Sequence, residues 1–112
     1  MSISQNVKIV VFVPKTHCDI VRKAMGDSGA GEIGNYTHCT FSSNGIGCFK
    51  PAEGANPFIG QVGKPESVEE ERIETICSRN KLKDVVSAIK SVHPYEEIAF
   101  DIYPLEDFNQ ID

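Results

Sequence analysis

The pattern of hydrophobic and polar positions predicts a strand and then a helix near the start of the chain. Residues 7–13, VKIVVFV, form an unbroken β-branched run. Such a run is typical of a central strand covered by helices on one face and by a partner or a loop on the other. Residues 17–28 carry apolar side chains at helical spacing, with Thr16 and Asp19 placed as an approximate capping box. Gly29 is expected to end this helix, because a left-handed residue after the last turn is least strained as glycine.

A β-hairpin is predicted next, around the dipeptide Asn44-Gly45. Two short runs, NYTHCTFSS and IGCFKP, flank this dipeptide. Asn-Gly in such a setting favours a type I′ turn, which needs positive φ at both central residues. His38 and Cys39 then fall on the second strand and face opposite sides. Cys39 and Cys48 become a diagonal cross-strand pair roughly 7 to 8 Å apart, too far for an easy disulfide.

The second half of the chain predicts a loop, a strand, a helix and a last strand. Residues 52–65 are rich in Gly and Pro and form a loop ordered around Phe58 and Ile59. Residues 68–77 alternate between apolar and charged positions, which predicts a strand with one solvated face. The charged positions assigned to the solvated side of this strand are Glu69, Glu70, Glu71, Arg72 and Glu74.

Helix two is predicted over residues 80–93, with Pro94 ending it, and the last strand over residues 98–105. The buried stripe of helix two comprises Leu82, Val85, Val86, Ile89 and Val92. The resulting order, β-α-β-(β)-β-α-β, predicts an α+β fold of the ferredoxin-like split βαβ type, with two helices on one face of an antiparallel sheet. We expect one domain over residues 1–112, with a tail at 1–6, a core at 7–105 and an acidic tail at 106–112.

Composition and charge narrow the function. The 112 residues are 40% hydrophobic and 24% charged, and no apolar run approaches the roughly 18 residues of a membrane span. The first apolar run lacks a cleavage site and is read as a strand, so we expect a soluble cytoplasmic protein. The formal net charge is −5 and the 11 Lys and Arg residues are scattered, which argues against nucleic-acid binding. Four cysteines without a C-x-x-C pair predict free thiols in a reducing compartment.

A glycine motif resembles a nucleotide-binding loop, but the order of the elements around it argues against that function. Gly29, Gly31 and Gly34 spell G-x-G-x-x-G. A dinucleotide loop needs a strand before these glycines and a helix after them, whereas here a helix enters and a strand leaves. We therefore predict that Gly29 and Gly31 end helix one and turn the chain. Gly34 is expected to let Asn35 and Tyr36 enter the second strand close to a neighbouring backbone.

The segment HPYEE, residues 93–97, is the densest cluster of chemical groups. One interpretation makes His93, Glu96 and Glu97 ligands for a metal or a cationic small molecule, with Tyr95 as a stacking face. The other makes the segment a helix-to-strand junction with solvated or paired glutamates. Adjacent carboxylates on a strand point to opposite faces, which argues against both reaching one ion.

Seven short segments are informative together: HCDIVRKAM at 17–25, GAGEIGNY at 29–36, CTF at 39–41, G-x-F-x-P at 47–51, GANP-x-IG at 54–60, E-x-RIE at 70–74 and HPYEEIAFD at 93–101. Together they resemble the domain inserted in the middle of NIF-three-like (YqfO-type) proteins, here standing alone. The resemblance implies a fold similar to CutA and PII signalling proteins, which assemble as trimers and hold ligands in clefts between subunits. The metal-binding residues of the family lie in the flanking halves, so none carries over to this sequence.

Two function hypotheses follow. The preferred one is a non-enzymatic oligomeric ligand-binding or regulatory module without a cofactor. It is a trimer, with a dimer as the rival, whose clefts are lined by the HPYEE segment and the loop after helix one. Its candidate ligand-binding residues are His93, Tyr95, Glu96, Glu97, His17, Asn35 and Tyr36, and its candidate interface residues are Phe49, Phe58 and Ile59. The alternative is a CutA-type protein that binds Cu or Zn through His93, Glu96, His17 and Cys39. A Cys-His nucleophile at His38 and Cys39 is disfavoured, because the two residues face opposite sides of their strand.

Overall fold

The computed structural model describes residues 5–107 and contains four strands and two helices. The predicted tails at 1–6 and 106–112 lie largely outside the described residues. Among residues 5–107 no helix is long and apolar enough to cross a membrane. The elements are β1 Asn6–Pro14, α1 Cys18–Asp27, β2 Phe41–Phe49, β3 Glu66–Ser78, α2 Leu82–Val92 and β4 Phe100–Leu105, with single 3-10 turns at Lys15–His17 and Arg79–Lys81 before the two helices.

The four strands form one antiparallel sheet in the order β2-β3-β1-β4. This is the predicted ferredoxin-like arrangement, with two crossover connections that each contain a helix. Every second residue of β1 is fully buried against the helices, as the unbroken apolar run predicted. The core on this helix-covered face includes Val7, Ile9, Val11 and Val13 of β1, Val21 and Met25 of α1, Ile73 and Cys77 of β3, and Val85 and Ile89 of α2.

The predicted hairpin at Asn44-Gly45 is wrong, and the additional strand in parentheses does not form. The strand β2 runs straight through the dipeptide, with Asn44 opposite Glu71 and Gly45 opposite Glu70 of β3. Neither residue has a positive φ, and the Asn44 side chain accepts a hydrogen bond from Lys15 Nζ at 2.9 Å. Nine consecutive residue pairs with β3 outweigh the local turn preference of Asn-Gly, because tertiary pairing decides strand formation.

The segment between α1 and β2 also differs from the prediction. His38 and Cys39 precede the strand, and His38 has a φ of 60°. Cys39 and Cys48 are therefore not a diagonal cross-strand pair. All four cysteines of the chain are free thiols.

Helix α1 begins without the predicted capping box. Thr16 lies within the 3-10 turn Lys15–His17, one residue before the N-cap His17. Its hydroxyl bonds to Nδ1 of His17 at 2.7 Å. The helix ends as predicted. The N–H of Gly29 donates to the Gly26 carbonyl and the N–H of Ala30 to the Met25 carbonyl, a Schellman cap with Gly29 at φ 111°.

Gly31 and Gly34 have different roles in the turn after α1 from those predicted for them. Gly31, at φ 79°, makes the close backbone approach, since an added Cβ would lie 2.6 Å from the backbone of Cys39. Gly34 has open space around it and forms a tight turn in which Ile33 and Tyr36 exchange backbone hydrogen bonds. Tyr36 therefore belongs to this turn, and β2 begins five residues later.

The charged run of β3 is not one solvated face. Glu70 is 8% exposed and counts among the buried residues, while Glu71 pairs with Arg22 of α1 at 2.6 Å. The Arg22 guanidinium lowers the pKa of Glu71 below its ordinary value. Of the five positions assigned to solvent only Glu69 is exposed, because the run spans two faces that are both partly covered.

The strand β3 extends beyond the central strand β1. It pairs with β1 over residues 70–78 and with β2 over residues 66–74. Residues 66–69 and their partners 46–49 therefore project past the end of β1. This two-stranded extension lies at the same end of the sheet as the C-terminus of α2, since β1 ends there at Pro14.

Candidate functional site

A cavity of about 630 Å³ lies on the sheet face opposite the helices. Its floor is formed by Phe12 of β1, Glu70 and Arg72 of β3 and the outward-facing residues of β2, because alternate strand residues face opposite sides. The loop after β2 and the HPYEE segment close its sides. The volume is in the range of small-molecule pockets, roughly 300 to 1,000 Å³. The loop and HPYEE residues that line it are Pro51, Ala55, Pro57, Phe58, Ile59, Tyr95, Glu96 and Glu97.

Glu70 and Tyr95 form the polar centre of this cavity. The Tyr95 hydroxyl donates to Glu70 Oε2 at 2.8 Å. Burial, reinforced by this carboxylate, raises the pKa of the Tyr95 phenol, so the hydroxyl keeps its proton and remains a donor. Gly47 makes room for the carboxylate, since a Cβ at Gly47 would lie 2.5 Å from Glu70 Cδ and closer still to Oε1.

His93 fixes the HPYEE segment to the sheet. The residue is 7% exposed. Its Nε2 donates to the Phe12 carbonyl at 2.8 Å, and its Nδ1 accepts from the backbone N–H of Tyr95 at 3.1 Å. This pair of bonds requires the neutral ring protonated on Nε2, because a carbonyl oxygen can only accept. Burial lowers the pKa of His93, and the bond to the Phe12 carbonyl opposes that shift without reversing it.

Glu96 and a set of aromatic rings hold the loop after β2 over the cavity. Glu96 Oε1 accepts a hydrogen bond from the backbone N–H of Asn56 at 2.8 Å. The Phe58 ring makes an edge contact with the ring of His17, 5.6 Å between centroids, and lies 6.3 Å from the Tyr95 ring. The Phe49 ring is also 6.3 Å from that of Tyr95. The wall is therefore aromatic and is anchored by one carboxylate-to-backbone bond.

Arg72 is the cationic side chain of the cavity lining. Its guanidinium lies 6.0 Å from the centre of the Phe12 ring. Its Nε is 3.3 Å from Glu74 Oε2 but, among the described residues, is buried without a hydrogen-bond partner. The contact with Glu74 is thus an ion pair whose angle does not suit a hydrogen bond at Nε.

The structure brings most of the predicted ligand-binding residues to one end of the sheet. Tyr95, Glu96 and Glu97 line the cavity, while His93 and His17 lie directly behind its aromatic wall. The segment after Pro94 is not a strand until Phe100, so the expectation that Glu96 and Glu97 diverge to opposite faces does not hold. The three residues predicted as an interface, Phe49, Phe58 and Ile59, line the same cavity.

Asn35 and Tyr36 lie at the other end of the molecule. Their loop is attached beside the start of β1 and α2, where Gly31 bonds to the Ile76 carbonyl and Glu32 pairs with Lys81 at 3.0 Å. Within one chain the loop after α1 therefore does not share a cleft with the HPYEE segment. Tyr36 is 75% exposed.

Sequence reasoning missed the residues of the cavity floor. Glu70 and Arg72 were assigned to a solvated face, and Phe12 to an undivided apolar run. A signal was present in β2, where Gly45 and Gly47 alternate on one side of a strand. Glycines at this spacing indicate close approach of another group, and at Gly47 that group is the Glu70 carboxylate.

The four residues of the metal alternative do not meet at one point. His93 uses both ring nitrogens, and Glu96 bonds to Asn56. The carbonyl of Cys39 accepts from the Thr75 hydroxyl at 2.8 Å, in the middle of the sheet. Across residues 5–107 no group of three or more His, Cys, Asp or Glu side chains is placed to hold a metal ion.

In sequence the chain is similar to curated bacterial proteins named "GTP cyclohydrolase 1 type 2 homolog". It is 59% identical over 98 residues to the protein from Halalkalibacterium halodurans and 54% identical over 99 residues to that from Bacillus subtilis. Each match covers 88% of this chain and 26% of the relative, so the chain spans about a quarter of the length of these relatives. No protein-family model matches the chain.

In structure the chain is similar to a Bacillus cereus protein related to NIF3, with a TM-score of 0.82 and 51% identity over 96% of this chain and 27% of that protein. Two more distant structures share the fold. The periplasmic divalent cation tolerance protein CutA from Archaeoglobus fulgidus has a TM-score of 0.66 at 16% identity, covering 91% of this chain and 85% of its own. Bacillus subtilis GlnK has a TM-score of 0.62 at 16% identity, covering 92% and 87%. These matches confirm the expected resemblance: the chain is homologous to a segment of NIF3-related proteins and has the CutA- and PII-like fold.

Proposed function

We propose that this chain is a non-enzymatic, self-associating module that binds a small ligand in the cavity on the open face of its sheet. The observation that carries the proposal is the cavity itself, about 630 Å³ in volume and built by three segments that are distant in sequence. An apolar pocket with a few convergent polar groups is the usual form of a ligand site. The four free thiols of the chain fit the predicted reducing, cytoplasmic setting.

The polar centre of the cavity supports binding more than mere packing. Glu70 is more than nine-tenths buried as a residue, and among the described contacts its carboxylate has one side-chain donor, Tyr95. A buried carboxylate lowers stability unless it is hydrogen-bonded. The glycine at position 47 preserves the space that this arrangement needs. A site kept at this expense in stability is typical of function.

The neutral dye N-phenyl-1-naphthylamine tests the cavity, because its fluorescence rises in an apolar site. The variant Gly45→Leu should abolish the rise in fluorescence. Position 45 lines the cavity and an added Cβ there meets no atom within 4 Å, so the leucine side chain can extend into the cavity and occupy the space of the dye. The matched control is Ser87→Leu, which adds the same side chain to an exposed position of α2. Equal fluorescence for both variants, or none with the unaltered protein, contradicts the proposal.

Self-association is supported by apolar side chains exposed at the two edges of the sheet. Phe41 on β2 is 68% exposed and Tyr103 on β4 is 45% exposed. Edge strands also present unpaired backbone groups to a neighbour. We propose a trimer, with a dimer as the rival, as the likeness to CutA and PII proteins implies. Light scattering should return about three times the chain mass of 12.3 kDa, and a mass near 12.3 kDa would contradict it.

The metal alternative stays a prediction with its own test. The purified protein is equilibrated with micromolar Cu or Zn, and bound metal is measured by elemental analysis. Stoichiometric uptake that His93→Ala removes would support the alternative. Uptake unchanged by that substitution, or none at micromolar metal, would contradict it.

A further inference from the structure

The ionised side chains of the cavity lining are unequal in number. Three carboxylates, Glu70, Glu96 and Glu97, face one guanidinium, that of Arg72. Arg72 is already 3.3 Å from a further carboxylate, Glu74. The lining therefore carries an excess of negative charge. Glu96 and Glu97 are exposed and water screens their charges, whereas Glu70 is 8% exposed and acts on a ligand most strongly.

The innermost of these carboxylates has unused hydrogen-bonding capacity. An ionised carboxylate offers about four acceptor positions, and the side-chain donor found for Glu70 among residues 5–107 is the single hydroxyl of Tyr95, on Oε2. Glu96 by contrast is engaged by the backbone of Asn56. A ligand that brings N–H donors with a positive charge would complete the coordination of Glu70.

The aromatic wall favours the same class of ligand. The rings of Phe49 and Phe58 both lie 6.3 Å from that of Tyr95. Aromatic faces attract cations as well as other rings, and the attraction strengthens when the cation is desolvated. The apolar part of a ligand can therefore pack on this wall while its charged end reaches Glu70.

An anionic ligand held by Arg72 is the rival. Arg72 has a buried Nε that makes no hydrogen bond to any described residue. Its charge is shared with Glu74 and with the face of the Phe12 ring. An anion at this point would also face three carboxylates, so the balance of charge opposes it.

We propose that the cavity selects an aromatic organic cation, an amine or an amidinium attached to a planar apolar body, with the cationic group on Glu70. This inference rests on the proposed function, since it names the ligand class of the same cavity. Glu70 is 8% exposed as a residue, so little further water has to leave it when the cationic group binds.

Three probes with one aromatic body and different charges test the ligand class on the unaltered protein. Naphthylmethylammonium, naphthylmethanol and naphthoate each compete with N-phenyl-1-naphthylamine for the cavity. We expect the ammonium to displace the dye at a concentration roughly tenfold lower than the alcohol, as a charge-assisted hydrogen bond replaces a neutral one. The naphthoate should be the weakest competitor.

Two matched variants locate the effect. Glu70→Gln keeps the size of the side chain and an oxygen acceptor for Tyr95, and it should remove the preference for the ammonium over the alcohol. Glu69→Gln makes the same change of net charge at the adjacent exposed position, which faces the other side of β3, and it should leave the preference intact.

Each remaining outcome overturns a different statement. Equal competition by the ammonium and the alcohol, or the same loss in both variants, would overturn the selection of cations while the cavity still binds the dye. Strongest competition by naphthoate would overturn it in favour of Arg72. Failure of the dye to bind the unaltered protein would remove the proposed function itself.

Discussion

Alanine substitution should affect the two glycines of β2 differently, with a large effect at Gly47 and a small one at Gly45. Gly45 and Gly47 lie on the same face of one strand, and both have ordinary strand backbone without positive φ. A Cβ at position 47 would lie 2.5 Å from Cδ of Glu70, whereas a Cβ at position 45 meets no atom within 4 Å. Gly47→Ala must therefore displace the Glu70 carboxylate, and Gly45→Ala displaces nothing.

The size of the effect follows from what holds the carboxylate in place. A flexible glutamate could swing aside at little cost on a surface, but Glu70 is 8% exposed and bonded to Tyr95 at 2.8 Å. The cavity gives the Glu70 carboxylate room to move, so the cost is the loss of its hydrogen bond to Tyr95. A hydrogen bond to a charged group contributes about 1.5–3 kcal/mol. We expect Gly47→Ala to lower the free energy of unfolding by about 1–3 kcal/mol. Gly45→Ala should lower the free energy of unfolding by no more than about 0.5 kcal/mol.

Two measurements on the same samples check this reasoning. Urea unfolding gives the free energies of unfolding. In a thermal melt of the same samples, a difference of 1 kcal/mol corresponds to about 4–8 °C in Tm for a domain of this size. Spectrophotometric titration of the tyrosines should show a lower phenol pKa for Tyr95 in Gly47→Ala, because the neighbouring carboxylate that helps to raise that pKa has moved. Equal unfolding midpoints for the two variants, together with an unchanged tyrosine titration, would refute the argument.

Three further predictions concern the helix cap, the buried histidine and the thiols. Gly29→Ala places a Cβ on a residue at φ 111° and should destabilise the protein by about 1–2 kcal/mol in urea unfolding. Because the folded-state pKa of His93 is below its ordinary value of 6.5, the unfolded chain takes up the proton first. Stability should therefore be complete above pH 6.5 and decline as the pH falls below it, and His93→Gln should remove that part of the decline. The exposed thiol of Cys48 should react first with a thiol reagent, while Cys18, whose pKa burial raises to about 11, and the buried Cys77 should react only on unfolding, as mass spectrometry of labelled peptides would show.

Contrary results for these three are equally specific. An unfolding free energy unchanged by Gly29→Ala would mean that the cap adapts to a side chain. An identical pH dependence with and without His93 would place the titrating group elsewhere. Labelling of Cys18 as fast as that of Cys48 in the folded protein would contradict the burial of the first thiol.

Long-range periodicity predicted the elements, and local turn signals were the weaker guide. The run at 7–13 and the stripe of helix two each report burial along a whole element, and both elements are confirmed. The alternation near Ile73 predicted the strand and its buried side, but its other side is not the solvated face that was expected. Asn44-Gly45 reports only the preference of two residues. Nine cross-strand pairs with β3 override it, and nothing in those two residues announces the length of the partner strand.

The candidate site was predicted in part for the same reason. HPYEE stands out because four of its five residues have ionisable side chains, and the structure places three of these on the cavity. Glu70 and Arg72 looked like ordinary surface charges, since the sequence cannot show that the loop between β2 and β3 and the HPYEE segment fold over one face of their strand. Their role depends on tertiary contacts, with Tyr95 for Glu70 and with Phe12 for Arg72.

The separation of core and cavity onto opposite faces of one sheet has a consequence for how such a protein can change over evolution. In β1 the residues that stabilise the fold, such as Val11 and Val13, alternate with Phe12 on the cavity floor. Under the proposed function, substitutions of Val11 or Val13 would mainly alter stability, and substitutions of Phe12 would mainly alter what the cavity binds. A lineage could therefore exchange one ligand for another by changing every second residue of a strand while the fold persists.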